Sequence, residues 1–277
     1  MKFENIRVYN FEHALRGMRN PKESYHLSDS KFGLDFYQAI KYKIEKMYDN
    51  EEDQIKAYQN SILYSNGAFV EYAFIGENDM KLAKSLIRGG SEHRKFLRQI
   101  FVSVDITAPL YWWKEFDTYK VGTVANSTST MHTIHKTPIT IDNFEIDDYD
   151  PSLGLIDPIH IGERVDCFVN DLEQLRQTYM LYNKKAKETT DLEERARLVG
   201  IAKKYWKELI RWTPDSWLQT RTVTMNYENL LGMCSRGQRR FHKLNEWSGI
   251  DDEYLTNFIN FARQLPYAQD LIFIDEE

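Results

Sequence analysis

Two long segments with helical spacing, residues 165–181 and 192–210, constrain the fold of this 277-residue chain more than any other feature. Along both segments apolar residues recur three and four positions apart, which is typical of amphipathic helices. Their charged residues are spaced so that successive turns can form salt bridges. We therefore predict two long helices that follow one another and pack as a hairpin.

The remaining segments mix strand and helix patterns. β-branched and aromatic residues, or alternating apolar ones, predict strands at 2–9, 68–75, 101–106 and 218–225. Helical spacing predicts further helices at 33–48, 52–64, 79–88, from Pro109 to about Gly122, 226–247 and 252–265, the last capped by Asp251 or Asp252. This order lacks a regular βαβ alternation, so we expect an α+β fold with a mixed or antiparallel sheet and long helices.

Large aromatic residues predict an ordered chain. Seventeen Tyr, 15 Phe and six Trp supply buriable surface, whereas 13 Gly and seven Pro are few for this length. We expect one domain over residues 1–277, in which residues 1–75 carry no functional motif that we can interpret. Residues 137–162 are the least regular part and predict a loop or an arm.

Charge and cysteine content exclude several classes of protein. A net charge of −6 argues against general nucleic-acid binding but leaves room for a local anion site. No segment is apolar for long enough to span a membrane, and the N-terminus lacks a secretory signal. Cys167 and Cys234 do not indicate a disulfide framework, so we expect buried, inert thiols and a cytoplasmic protein.

One run of basic residues stands out in this acidic chain. Arg236, Arg239, Arg240 and Lys243 are three and four positions apart, so a continuous helix would place them on one face. Such a face could bind phosphate through charge-assisted hydrogen bonds. The alternative is a solvated surface whose cations pair with carboxylates of neighbouring helices.

Three further patterns have a structural and a functional interpretation. The hydroxyl-rich segment 122–130 could cradle a phosphate, or it could be a turn that caps the next element. Trp112 and Trp113 could form an aromatic platform, although packing in a core is the favoured interpretation. His132 and His135 have no third ligand at a suitable spacing, so we expect no metal site.

Two segments resemble the flavin-dependent thymidylate synthases. In the C-terminal segment, residues 212–247, that family's pattern of a Pro, a strand ending in Thr-x-Asn and a helix leading to an Arg is matched by Pro214, Thr224, Asn226 and Leu230. Residues 89–132 follow the family's order of a His-containing turn, a strand, a helix and an Arg-His-Arg motif. The resemblance covers roughly the middle and last thirds of the chain.

The central motif differs from that of the family at most of its residues. The family's Arg-His-Arg falls on Thr118, Tyr119 and Lys120, so only Lys120 keeps a cation. The family's next Ser falls on Thr123, its Asn-Glu pair on Ala125-Asn126, its second Ser on Thr128 and the Arg after it on Thr130. An upstream nucleotide-binding Gln falls on Glu115.

The resemblance implies the fold of thymidylate-synthase-complementing proteins and a homotetramer with FAD. Such an enzyme would methylate dUMP to dTMP with methylenetetrahydrofolate and NADPH, and the flavin rather than a protein nucleophile would carry the chemistry. Nucleotide and phosphate binding would fall to Glu115, Lys120, Thr128, Thr130, Arg211, Arg236, Arg239 and Arg240. Flavin binding would fall to His93, Thr118, Tyr119, Thr123, Asn126 and Asn226.

Each of these assignments has an alternative. Asn226 at a strand-to-helix junction is also an ordinary N-cap, and His93 is also an ordinary surface or core histidine. Glu115 accepts but cannot donate a hydrogen bond, which would suit a different pyrimidine nucleotide. The lost arginines favour a rival class, a nucleotide-binding or interaction protein of a phage or other mobile element that no longer holds flavin.

Overall fold

The computed structural model describes residues 1–34, 36–55, 72–156, 159–239, 242–249 and 256–276. Helices and antiparallel strands alternate irregularly along these ranges, which confirms the predicted α+β class. The strands are β1 (Lys2–Tyr9), β2 (Lys31–Leu34), β3 (Tyr72–Phe74), β4 (Phe101–Pro109), β5 (Val124–Ser127), β6 (Gly154–Ile156), β7 (Ile159–His160) and β8 (Leu218–Asn226).

Helices fill most of the remaining described chain. They are α1 (Phe11–Arg19), α2 (Phe36–Met47), α3 (Glu77–Arg88), α4 (Leu110–Phe116), α5 (Thr130–Thr133), α6 (Ile161–Glu188), α7 (Leu192–Trp212), α8 (Tyr227–Cys234), α9 (Arg236–Arg239), α10 (Asn245–Ser248), α11 (Phe258–Arg263) and α12 (Ala268–Leu271). Within the described ranges, none of them combines the length and the apolarity needed to cross a bilayer.

The largest sheet has four strands in the order β1-β4-β8-β5. The strands β4 and β8 run antiparallel, because Asp105 accepts a hydrogen bond from Thr222 while the N–H of Tyr227 donates to the carbonyl of Ile100. Along β4, Val102, Val104 and Ile106 are buried and the residues between them are half-buried. The alternation predicted for residues 101–106 is therefore confirmed.

Contacts divide the chain into two compact units, and the division falls within β4, β5 and β8. The first unit comprises Met1, Thr107–Glu115 and Ser127–Thr220. The second comprises Lys2–Ile106, Phe116–Asn126 and Arg221–Glu277. The single domain expected for residues 1–277 stays a prediction.

The helix pair α6 and α7 dominates the first unit. The two helices pack side by side, and the rings of Tyr182 and Tyr205 stack at a centroid distance of 5.7 Å. This confirms the predicted hairpin, although both helices are longer than the sequence pattern indicated. Their apolar face encloses a core made of Ile134, Ile139, Phe144, Leu172, Leu209 and Trp217. The irregular segment 137–162 holds only a 3₁₀ turn at Ile141–Asn143 and the short β6–β7 pair before α6 begins.

The second unit has an aromatic core and one buried ion pair. Phe11 packs edge-on against Tyr227, and Trp247 packs against Phe258. The guanidinium of Arg19 donates to the carboxylate of Asp79 at 2.5 Å, and both side chains are almost fully buried. Burial raises the pKa of Asp79, but hydrogen bonds from Ser28, Ser30 and Arg19 outweigh it and hold that pKa below its ordinary value.

Several predicted boundaries are wrong. The helix predicted from Pro109 to Gly122 ends at Phe116, because Asp117 and the residues after it form turns. The helix predicted at 226–247 breaks at Ser235, whose backbone is extended. Lys243 is not helical and therefore does not share a helix face with Arg236. The predicted start and Asp cap of the last helix lie outside the described residues, and the described helix α11 begins at Phe258 with Asn257 as its N-cap.

Other predictions fall partly outside the described residues or fail on burial. Of the predicted helix 52–64 and strand 68–75, residues 52–55 are helical and Tyr72–Phe74 is a strand, while residues 56–71 lie outside the described ranges. Cys234 is buried as expected, but Cys167 is exposed on α6. Trp112 and Trp113 are fully buried, which confirms that they are core residues.

Candidate functional site

The loop between α4 and β5, residues 117–123, folds against the N-terminus of α8. The side-chain amide of Asn229 donates to the carbonyl of Val121 at 2.7 Å. The hydroxyl of Thr123 donates back to the carbonyl of Tyr119, which closes the loop on itself. Gly122 has a φ of +82°, a left-handed conformation that favours glycine. The loop is thus a tight turn fixed to the helix end.

Asn226 caps the first turn of α8 through its side-chain oxygen, and its side-chain Nδ2 donor takes no part in the cap. Its Oδ1 accepts from the N–H of Asn229 at 2.9 Å, while the Oδ1 of Asn229 accepts from the N–H of Asn226 at 3.1 Å. Asn226 is therefore the N-cap that the sequence allowed. A backbone N–H can pair only with an acceptor, so the side-chain atom of Asn226 that faces the N–H of Asn229 must be the oxygen Oδ1. The other side-chain atom, Nδ2, is therefore a donor.

That donor has no acceptor among the described residues, and the residue as a whole is largely buried. Asn226 is only 6% exposed, and the hydrogen bonds of its side chain are confined to Oδ1. The Nδ2 atom lies beside Gly122, where a glycine leaves space that a side chain would fill. An amide N–H without an acceptor from the protein can donate to a ligand oxygen or nitrogen, so this position suits a ligand acceptor.

An aromatic cluster flanks the loop in the same unit. The hydroxyl of Tyr119 lies 3.4 Å from Nε2 of His242. The imidazole of His242 stacks on Trp247 at a centroid distance of 5.3 Å, and Trp247 is 1% exposed. His242 and Trp247 did not emerge from the sequence as site residues. No local pattern connects them with Tyr119, since the contact spans 123 positions of the chain.

Few cations remain available around this loop. Lys120 and Arg236 are exposed, and neither forms an ion pair with any residue that the structure describes. Arg221 donates to Asp117 at 2.8 Å. Arg94 and Arg98 both donate to Glu228 in the first turn of α8, and the pKa of Arg98 is raised by that hydrogen bond.

The remaining members of the basic run are less informative. Arg239 lies in α9, and Arg240 lies outside the described residues. Their predicted contact with phosphate stays a prediction.

Four candidate residues belong to the first unit. The hydroxyl of Thr128 donates to the carbonyl of Thr220, and the hydroxyl of Thr130 accepts from Gln219. Arg211 donates to Glu208 one turn earlier on α7. Glu115 is half-buried at the end of α4. The hydrogen bonds of the two threonines connect the segment after β5 to β8.

The hydroxyl-rich segment is mostly extended. Val124–Ser127 form the edge strand β5, and all four side chains are exposed. Asn126 is one of them, and Thr118 is likewise exposed in the preceding loop. His93 is exposed in the turn after Gly89 and Gly90, and its ring lies next to Gly89. In the part of the chain that the structure describes, no group of three His, Cys, Asp or Glu residues is arranged to hold a metal ion.

Comparisons with known proteins provide a similarity in structure only. No protein-family model matches the chain, and no curated protein matches it in sequence. A crystal structure of thymidylate synthase X from Helicobacter pylori with FAD and dUMP is 12% identical, with a TM-score of 0.48 over 99% of this chain and 98% of that chain. A flavin-dependent thymidylate synthase from Helicobacter pylori complexed with FAD and dUMP is also 12% identical, with a TM-score of 0.39 over 89% and 98%. Because these values are low, we base the proposed function on the chain's own residues.

Proposed function

We propose that the protein binds a flavin and a pyrimidine nucleotide at the loop 117–123 and the N-terminus of α8. The proposed reaction is the methylation of dUMP to dTMP with methylenetetrahydrofolate, NADPH and FAD. One observation carries the proposal: the two segments that resemble flavin-dependent thymidylate synthases meet in space. Asn229 of the second segment donates to Val121 of the first, although 108 positions separate them.

The residues at this position suit the polar edge of a flavin. The Nδ2 atom of Asn226 can donate to a ring carbonyl or nitrogen, and Tyr119 of the loop offers an aromatic ring that packs against Trp247. Lys120 and Arg236 are cations with capacity for phosphate oxygens. A bound reduced flavin would supply the hydride and carry the methylene group, so the protein's part is to bind, to orient and to exclude water.

The further residues named by resemblance belong to the proposal as predictions. They are His93, Thr118, Thr123 and Asn126 for the flavin, and Glu115, Thr128, Thr130, Arg211, Arg239 and Arg240 for the nucleotide. The homotetramer and the cytoplasmic location are part of the same proposal.

A second candidate is an interaction protein that has lost the flavin. Two observations favour it. Thr118 and Tyr119 stand where the family has charged or imidazole side chains, and Arg221 is already paired with Asp117. Val121 and Val124 are 89% and 71% exposed, and apolar side chains that lie so open are typical of surfaces that bind another protein.

The visible spectrum of the purified protein separates the two candidates. An oxidised flavin absorbs near 450 nm, a general property of the cofactor. The enzyme proposal expects yellow protein, or colourless protein that turns yellow with added FAD, together with release of tritium from dUMP labelled at C5. Protein that binds no added FAD would exclude the flavin proposal and leave the interaction protein.

Substitution of Asn226 tests whether binding occurs at this position. Asn226→Asp keeps the capping oxygen but removes the Nδ2 donor, so we expect normal stability with FAD binding weakened about tenfold. Asn257→Ala is the matched control, because it removes an N-cap in the same unit without touching the loop. If Asn226→Asp binds FAD as tightly as the unchanged protein, the flavin lies elsewhere.

A further inference from the structure

A groove on the C-terminal half of α6 has the features of a second ligand site. Its volume is about 660 Å³, within the range of about 300–1,000 Å³ that small-molecule sites occupy. Its lining includes the polar side chains of His135, Lys184 and Lys187 and the apolar side chains of Met180 and Leu181. All of these residues belong to the first unit.

Arg176 makes one wall of the groove rigid. Its guanidinium donates twice to the carboxylate of Glu173, at 2.7 Å each, and once to the carbonyl of His135 at 3.0 Å. Its charge is balanced by Glu173, and its donors are largely used. Arg176 therefore fixes the position of the turn that bears His135, and the net positive charge of the groove comes from the lysines.

The two lysines have little internal compensation. The carboxylate of Glu188 lies 3.8 Å from the ammonium of Lys184, and both side chains are more than half exposed, so this pair contributes little. Lys187 is exposed and pairs with no carboxylate among the described residues. Since the two lysines are one turn apart on one helix, a single anion could contact both.

His135 provides the observation that helix electrostatics does not explain. Cations near a helix C-terminus are expected from the helix dipole alone, and this accounts for lysines at the end of α6. The Nδ1 atom of His135, however, is buried and has no hydrogen-bond partner within the described chain. Its ring meets Tyr179 edge-on at a centroid distance of 5.4 Å. Because Nδ1 is buried, a ligand in the groove would not reach it, and His135 and Tyr179 contribute ring surface to the groove lining.

We propose that this groove binds a small organic phosphate that carries an aromatic or apolar group. The phosphate would contact Lys184 and Lys187, and the apolar group would lie on Met180 and Tyr179 beside His135. Point-charge ammonium groups suit phosphate oxygens, and an exposed methionine adapts to flat apolar ligands. The proposal does not depend on the flavin site.

Calorimetric titration with three probes tests both parts of the groove. We expect 1-naphthyl phosphate to bind more tightly than inorganic phosphate, which lacks the apolar group, and more tightly than 1-naphthol, which lacks the charge. If 1-naphthyl phosphate does not bind, or binds no better than inorganic phosphate, there is no such site.

Charge substitutions then locate the binding. The double variant Lys184→Gln/Lys187→Gln should weaken 1-naphthyl phosphate about tenfold, which corresponds to about 1.4 kcal/mol. Lys41→Gln/Lys81→Gln changes the net charge equally at exposed positions of α2 and α3 and should leave the affinity unchanged. Equal loss in the two double variants would mean that the net charge attracts the probe, and it would overturn the proposal. Thermal denaturation of both variants checks that the helices remain folded.

Discussion

The side-chain amide nitrogen of Asn226 lies so close to Gly122 that a Cβ atom added to Gly122 would come within 2.8 Å of it. The same Cβ would lie 3.1 Å from Oδ1 of Asn229. Both amides are fixed by their reciprocal capping hydrogen bonds, so neither can move away without cost. Glycine at position 122 therefore lets the loop 117–123 approach the start of α8.

The first prediction follows from this contact. Gly122→Ala should destabilise the protein by about 2–3 kcal/mol, from backbone strain at positive φ plus the clash with Asn226. Urea denaturation measures the loss. It should be accompanied by weaker FAD binding if the proposed function is correct, because the loop would be displaced from the Nδ2 donor.

Gly90→Ala is the control for backbone strain alone. Gly90 has a φ of +96°, but a Cβ there would meet no atom within 4 Å. Its substitution should cost only the strain of a left-handed residue, about 1–2 kcal/mol. Equal losses at positions 90 and 122 would contradict the packing of the loop on Asn226.

The contact between loop and helix could not be predicted from the sequence. Spacing shows that Asn226 follows a strand and precedes a helix, which suffices for a capping role but not for a partner 108 positions away. The α6–α7 hairpin, by contrast, was predictable, because its apolar spacing persists over many turns. Its core residues, such as Leu172 and Leu209, lie on the buried faces that this spacing indicates.

The helix break at Ser235 has a similar explanation. Residues 226–247 have helical spacing throughout, but Gly232 and Gly237 weaken the helix on both sides of Ser235. Packing then decides the outcome, since Trp247 is buried among Phe116, Tyr119 and Phe258. The basic run consequently does not form the single helix face that its spacing predicts.

A second prediction concerns the buried pair of Arg19 and Asp79. Asp79→Asn removes the charge that compensates a guanidinium only 4% exposed, and it should destabilise the protein by about 3–5 kcal/mol. Chemical denaturation measures the change. Arg19→Met/Asp79→Leu should recover much of the loss, because no uncompensated charge is then buried.

Glu77→Gln on the same helix serves as the control for charge removal. Glu77 pairs with Lys81 on the exposed side of α3, where water screens the interaction. Its loss should have little effect on stability. A large effect at Glu77, or none at Asp79, would contradict this account of α3.

A third prediction is the acid dependence conferred by Glu173. Hydrogen bonds from Arg176 are the main reason that the pKa of Glu173 is lowered to about 2, with further help from the N–H of Ile139 and from Gln177. A lowered pKa in the folded state contributes stability that is complete above the unfolded pKa, near 4.5. That contribution is lost as the pH falls toward 2, and it amounts to about 3 kcal/mol.

Denaturation curves between pH 6 and 2 should therefore differ for Glu173→Gln, which lacks this acid-sensitive contribution. The variant should be less stable near neutral pH and should approach the unchanged protein near pH 2. Glu194→Gln, which removes the exposed pair with Arg197, should follow the unchanged protein at every pH. Parallel curves for Glu173→Gln and the unchanged protein would contradict the lowered pKa.

The last prediction distinguishes the two cysteines by their access to solvent. Cys167 is exposed on α6, whereas Cys234 is fully buried at the end of α8. An aromatic disulfide reagent should therefore label one thiol rapidly in the native protein and the second only on unfolding, because exposure governs the access of the reagent. Cys167→Ser should abolish the rapid phase, and Cys234→Ser should leave it unchanged. If both thiols react at the same rate in the native protein, the C-terminal end of α8 is open to solvent. That result would contradict the packing of the helix whose N-cap is Asn226.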